Sequence, residues 1–212
     1  MLNTLFSLME RGGPLMWVIF ATACMAMAML VERAISLVRQ TCAARRDYEL
    51  LKGNDFSLDS LITQKGDSPI SRVLQDMEWD RISSKEELVK EVNVQLATAM
   101  PHLEGFLPTV ATLGSLLPML GLLGTVTGMI NVFDVIALHG SGEPDAMARG
   151  ISQALLTTAS GLTIAIPVIF FHHLLARRLG LLMTVTEQSL HILLSMDLHE
   201  LLPAVRDRGE EE

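Results

Sequence analysis

The sequence predicts an all-α integral membrane protein with three transmembrane helices, two of them long and extending into a cytoplasmic helical region. Three observations carry that prediction. Half of the 212 residues are hydrophobic and only 19% are charged, against about a quarter charged in an ordinary soluble domain, and mean hydropathy is +0.38. The apolar residues come in blocks: 20 uncharged residues from Gly12 to Val31, 29 between Glu104 and Asp134, and 27 between Arg149 and Arg177. At a rise of about 1.5 Å per helical residue, each block can cross a hydrocarbon core of roughly 30 Å. Finally, basic residues are placed unevenly. Arg33, Arg39, Arg45, Arg46 and Lys52 follow the first block, and Arg177 and Arg178 follow the third. The link between the second and third offers only Arg149.

That asymmetry orients the chain. By the preference of basic loops for the cytoplasm, segment 35–104 and the C-terminal segment 177–212 are expected inside, with the N-terminus (1–13) and a periplasmic loop (137–148) outside. Three crossings with the N-terminus outside are self-consistent. The spans are expected at 14–34, 105–136 and 149–176.

In the first block, Gly12-Gly13-Pro14 breaks the chain and PLMWVIFATACMAMAMLVERA follows. A signal peptide is the rival reading. The segment before the block carries both Glu10 and Arg11, so it lacks the positive charge a signal peptide needs, and the basic residues come after the block. An uncleaved helix is therefore expected, with Trp17 as an interfacial anchor and Met25, Met27 and Met29 as adaptable packing residues. Ile35, Val38 and Cys42 keep a helical spacing, so the helix is expected to continue beyond the bilayer.

Residues 52–59 and 64–69 are turn-rich. From Ser84 a helix is expected, capped by Ser83 or Ser84 with Glu86 and Glu87 in its first turn. Leu88, Val92, Leu96, Ala99 and Leu103 form its apolar stripe. Pro101 allows a bend or restart before the second span. After the third span, residues 179–205 are apolar but interrupted by Glu187, His191, Asp197 and His199. Their longest uncharged run, 179–186, is too short for a fourth crossing, so a water-exposed or interfacial helix is expected, followed by a frayed tail.

Composition also excludes functions. Net charge −8 with only 16 Lys and Arg offers no basic footprint for nucleic acid. Cys24 and Cys42 suggest neither a disulfide framework nor a metal site. His172-His173 form no convincing metal set with His139, His191 and His199. No cofactor and no enzymatic site is expected.

The polar and small residues at membrane depth are more informative. Gly114, Gly121 and Gly128 recur every seven residues, and Gly124 and Gly128 form a GxxxG pair, the signature of close helix approach where no hydrophobic force drives association. Whether that approach lies within one subunit or between subunits is open. Gly161 follows on the third span. Thr125 lies among the glycines. On the third span Gln153, Thr157, Ser160 and Thr163 share a broad face, with Thr158 beside it. A lone threonine satisfies itself on its own backbone, whereas a glutamine amide at depth needs a partner. No Asp, Glu, Lys or Arg lies in the middle of any span. If the chain moves protons, the titrating group is expected from another polypeptide.

PMLGLLGTVTGMINVF (118–133) and ARGISQALLTTASGLTIAIPV (148–168) resemble the MotA/TolQ/ExbB proton-channel family, and within it the ExbB/TolQ-like branch. The Glu32-Arg33 exit of the first helix is similar too. The resemblance covers nearly the whole chain and is strongest over 105–178. It implies a proton-motive-force-driven subunit of the cell inner membrane, assembled as a homopentameric ring around an ExbD/TolR-like single-span protein whose membrane aspartate takes up and releases protons. A TonB/TolA-like envelope protein is a further implied partner, and lipid surrounds the ring. The family's pore-facing threonines fall on Thr125 and Thr158, and its helix-three position often occupied by glutamate falls on Gln153. Its packing glycines fall on Gly121, Gly124 and Gly128. A flagellar stator of the MotA type would bring four crossings and a larger cytoplasmic domain. A non-conducting membrane scaffold is the alternative from a different functional class.

Overall fold

The structure, a computed structural model, describes Phe6 and residues 9–52, 68–79, 82, 84–140 and 143–195. Most of the turn-rich stretches 52–59 and 64–69, the alternative cap Ser83, part of the 1–13 and 137–148 segments, Asp197, His199 and the tail lie outside the described residues. Among the described residues the regular structure is all α, with no strand. The helices are α1 (Pro14–Lys52), α2 (Pro69–Gln75), α3 (Lys85–Glu104), α4 (Leu107–His139) and α5 (Pro144–Ser195). Among the described residues three stretches are long and apolar enough to cross a membrane: Pro14–Leu51, Lys85–Leu138 and Pro144–Ser195.

The chain forms two compact units. The first comprises Met1–Glu32 and Phe106–Leu174, the second Arg33–Gly105 and Leu175–Glu212. In the first, the short link at Gly140 makes α4 and α5 an antiparallel pair. Gly140 ends α4 at φ +68°, donating its N–H to the Ile136 carbonyl, a positive-φ backbone that glycine adopts without a Cβ penalty. Successive α4 positions meet receding α5 positions: Gly114 faces Val168 and Ile169, Gly121 faces Thr157 and Thr158, and Gly128 faces Ala154. Pro118 and Pro167 sit inside these helices. The first part of α1 runs parallel to α5, since Gly12 and Gly13 lie at Gln153 while Met16, Ile19 and Phe20 lie along Ala159, Ser160 and Thr163.

The second unit is built differently. Along α1 the buried positions are Arg33, Leu37, Gln40, Ala44, Asp47 and Leu51. They recur every three or four residues, and alternate members are polar. Ser71 on α2 donates to Asp47 Oδ2 at 3.1 Å, and α2 packs on α3. Ser84 caps α3 with a full capping box: its Oγ accepts from the Glu87 N–H and Glu87 Oε2 accepts from the Ser84 N–H, each at 3.2 Å. Leu88, Val92 and Leu103 form its buried stripe. From α5, Leu182, Leu190 and Leu193 are buried beside Thr186 and Ser189, whose hydroxyls bond back to the Leu182 and Val185 carbonyls at 2.9 and 2.7 Å.

The structure refines three sequence readings. The chain restarts at Gly105 (φ +52°), while Pro101 stays inside α3. A Cβ on Gly105 would meet the buried Arg33 guanidinium at 3.1 Å, so a backbone only glycine adopts easily is combined with a close approach. The helix expected beyond the third span is the continuation of α5, which runs through Arg177 and Arg178 to Ser195. On α1, the helix does run on to Lys52, but Ile35 and Val38 are exposed. The face that packs is the neighbouring one, whose Arg, Gln and Asp hide the apolar repeat.

Candidate functional site

The residues singled out from the sequence gather in the first unit, on the α4–α5 seam and its continuation to α1. Small residues let the backbones touch. A Cβ on Gly161 would lie 2.7 Å from the Leu117 carbonyl oxygen and 3.1 Å from Gly121 Cα. On Gly128 it would lie 2.7 Å from Ala154 Cβ, and on Gly124 it would overlap the Thr157 hydroxyl. On Gly121 it would press on Thr158 Cα at 3.1 Å, and on Gly114 on Ile169 Cγ1 at 3.1 Å. These five glycines face a helix of their own chain. The α5 partners Thr157, Ala154 and Gly150 complete the seam. Their own small-residue spacing is the signal that points to them.

Close approach brings side-chain hydroxyls to the neighbouring backbone. Thr158 Oγ1 donates to the Gly121 carbonyl across the seam at 2.8 Å. Thr125 Oγ1 donates to Leu122 O in its own helix at 2.6 Å. Thr157 is 1% exposed, and its hydroxyl is shared between Ala154 O at 2.8 Å and Gln153 O at 3.2 Å. Thr125, Thr158 and Gln153 are each half-buried. A hydroxyl has one hydrogen and two lone pairs. With that hydrogen committed to a carbonyl, Thr125 and Thr158 can only accept from a further group.

The structure divides the broad polar face of α5. Thr157 turns into the seam. Ser160 and Thr163 instead line an apolar cleft of about 410 Å³ together with Met9, Met16, Ile19 and Phe20. Gln153 reaches α1: its Nε2 donates to the Gly12 carbonyl at 3.4 Å. His172 and His173 stack edge-on with ring centres 5.3 Å apart. Among the described residues no three His, Cys, Asp or Glu side chains could hold a metal ion together.

The pattern of the MotA/TolQ/ExbB proton channel family matches residues 63–188. The chain is 33% identical to the Tol-Pal system protein TolQ of Pseudomonas aeruginosa over 117 residues, 55% of this chain and 51% of the relative. It is 42% identical to the biopolymer transport protein ExbB of Salmonella typhimurium over 71 residues, 34% of this chain and 29% of that protein. With the biopolymer transport protein exbB1 of Vibrio cholerae it shares 26% identity over 183 residues, 79% of this chain and 77% of the relative. The match thus spans about half of the TolQ and under a third of the Salmonella ExbB. The family pattern takes in the whole glycine seam and both threonines, and the chain belongs to the MotA/TolQ/ExbB proton channel family, in its ExbB/TolQ-like branch.

Proposed function

We propose that the chain is the channel-wall subunit of a proton-motive-force-driven motor in the bacterial inner membrane. In this reading five copies form a ring around an ExbD/TolR-like single-span partner that carries a membrane aspartate. The N-terminus and the α4–α5 link face the periplasm, the second unit faces the cytoplasm, and the motion of the partner is passed to a TonB/TolA-like envelope protein. Residues 14–34, 105–136 and 149–176 are the three crossings.

The observation that carries the reading is the state of the two threonine hydroxyls in spans with no Asp, Glu, Lys or Arg in their middle. Thr125 and Thr158 present lone pairs, because their hydrogens are spent on Leu122 and Gly121 carbonyls. A wall of acceptors receives a hydrogen bond from water or from a protonated carboxylic acid. It offers nothing to a carboxylate. The neutral acid is also the form that enters an apolar environment at least cost. The threonine wall therefore favours a partner aspartate in its proton-loaded state, and Gln153 beside it offers an Oε1 acceptor and, with one N–H on Gly12, a second N–H donor. One elementary charge crossing 100 mV releases about 2.3 kcal/mol, so several protons suffice to drive a conformational step.

The test is proton flux in liposomes holding the chain with an ExbD/TolR-like single-span protein. Thr125→Val and Thr158→Val are expected to assemble and to lose flux, with Thr158→Ser restoring it. Full flux from both valine variants would remove the threonines from the pathway. The non-conducting scaffold is favoured by one observation: the Thr158–Gly121 bond by itself is ordinary helix glue. An assembly that forms with the partner and passes no protons would establish that second reading.

A further inference from the structure

We propose that Gln153 is a positioning residue: its amide clamps the N-terminal end of α1 onto α5, so that α1 is held in place by the helix that carries Thr158. This goes beyond the pathway reading and shares one residue with it.

The chain enters α1 through Gly12-Gly13-Pro14, and the backbone there leaves a carbonyl to be satisfied. Pro14 has no N–H. The Met16 N–H is turned to the Gly13 carbonyl at 3.1 Å, and the Gly13 N–H to the Glu10 carbonyl at 3.4 Å. Gly12 is buried. A buried carbonyl without a donor is costly, the more so in hydrocarbon. Gln153 Nε2 donates to it from α5 at 3.4 Å. Gly13 makes room for the donor. It stands at φ +72°, and a Cβ there would collide with Gln153 Nε2 and lie 3.3 Å from its Cδ. The glycine is thus required twice, by its backbone angle and by the amide lying against its Cα.

One to three turns further along, the same two helices enclose the 410 Å³ cleft between Met16, Ile19 and Phe20 on one side and Ala159, Ser160 and Thr163 on the other. The amide contact therefore borders a loosely filled stretch rather than a tight seam like that of α4 and α5. The side chain is also chemically suited to the task. A primary amide donates at every pH, whereas a carboxyl group of the same shape donates only when protonated. The charged groups nearest in sequence to the clamp are Glu10 and Arg11 before α1 and Arg149 one turn earlier on α5, all exposed. Asp134 stands exposed on α4.

The clamp is read by hydrogen exchange of the segment 9–17 in the full chain in nanodiscs, as a ratio to wild type at the same pH. Gln153→Met removes the donor, and exchange is expected to rise about fivefold at all pH values, the factor one ordinary hydrogen bond carries. In Gln153→Glu the carboxylate cannot donate. The ratio is expected to be at least as high at alkaline pH and to fall to one as pH drops through the introduced group's pKa and the O–H donor appears. Gly13→Ala, which leaves Gln153 intact but displaces its amide and strains the backbone at φ +72°, is expected to raise exchange at least as much as Gln153→Met. A ratio of one in Gln153→Met and Gly13→Ala, or a ratio in Gln153→Glu that does not change with pH, overturns the clamp. The measurement needs neither partner nor proton flux, so failure of the clamp and failure of the pathway reading are told apart.

Discussion

The two units solve the same problem, holding helices together, with opposite residues. In the first, α4 and α5 meet through Gly114, Gly121, Gly124, Gly128 and Gly161, and a threonine hydroxyl reaches straight to a backbone carbonyl. In the second, Leu37, Leu88, Leu182 and Leu193 are buried alongside Arg33, Gln40 and Asp47, and a capping box closes α3. With the first unit placed in lipid and the second in water, as proposed above, the difference follows from solvent. Lipid is as apolar as leucine, so burying leucine there gains little, and association relies on backbone approach and interhelical hydrogen bonds. In water a leucine side chain contributes roughly 1.5–3 kcal/mol on burial, enough to offset a buried polar group such as Asp47, which accepts from Ser71.

That contrast can be broken at defined positions. The largest effect is expected from Gly161→Leu, whose side chain would have to occupy the space of the Leu117 carbonyl and Gly121. The α4–α5 pair should not form, and the chain should be recovered as aggregate or not at all in detergent-solubilised membranes. Leu37→Ala, at 2% exposure, should cost about 2–5 kcal/mol, read by thermal or denaturant unfolding of the solubilised protein. Ser84→Ala removes the cap of α3 and should cost about 1 kcal/mol, with Ser84→Asp retaining most of the stability. The smallest effect belongs to Thr158→Val. Interhelical hydrogen bonds in membranes average about 0.6 kcal/mol, so its stability should hardly change. A large stability loss in Thr158→Val would mean that the seam depends on the hydroxyl more than on the glycines.

The two units also differ in how far the sequence reveals them. The three apolar stretches are legible because uncharged runs of that length match the thickness of a bilayer and are rare in water-soluble helices. Ser84 with Glu87 is legible because a capping box is local. The glycine repeat is legible as a packing surface, but not its partner: GxxxG reads the same whether the approaching helix belongs to the same chain or to a neighbour, and the structure turns all five glycines to their own chain. The buried face of α1 beyond residue 32 is hidden by Arg33, Gln40 and Asp47, whose polarity masks a seven-residue repeat, while exposed Ile35 and Val38 imitate a packed stripe. Gln153 is legible as an amide in need of a partner. That its partner is Gly12, 141 positions away, depends on the helix arrangement and no local pattern carries it.

The central claim is that this chain supplies an acceptor wall and another polypeptide supplies the acid. Proton flux under a membrane potential, measured in liposomes holding this chain alone and together with an ExbD/TolR-like single-span protein, tests it most directly. No flux above lipid background is expected for the chain alone, flux with the partner, and loss of that flux when the partner's membrane aspartate is replaced by asparagine. Equal flux from the chain alone, or from the asparagine variant, would contradict it.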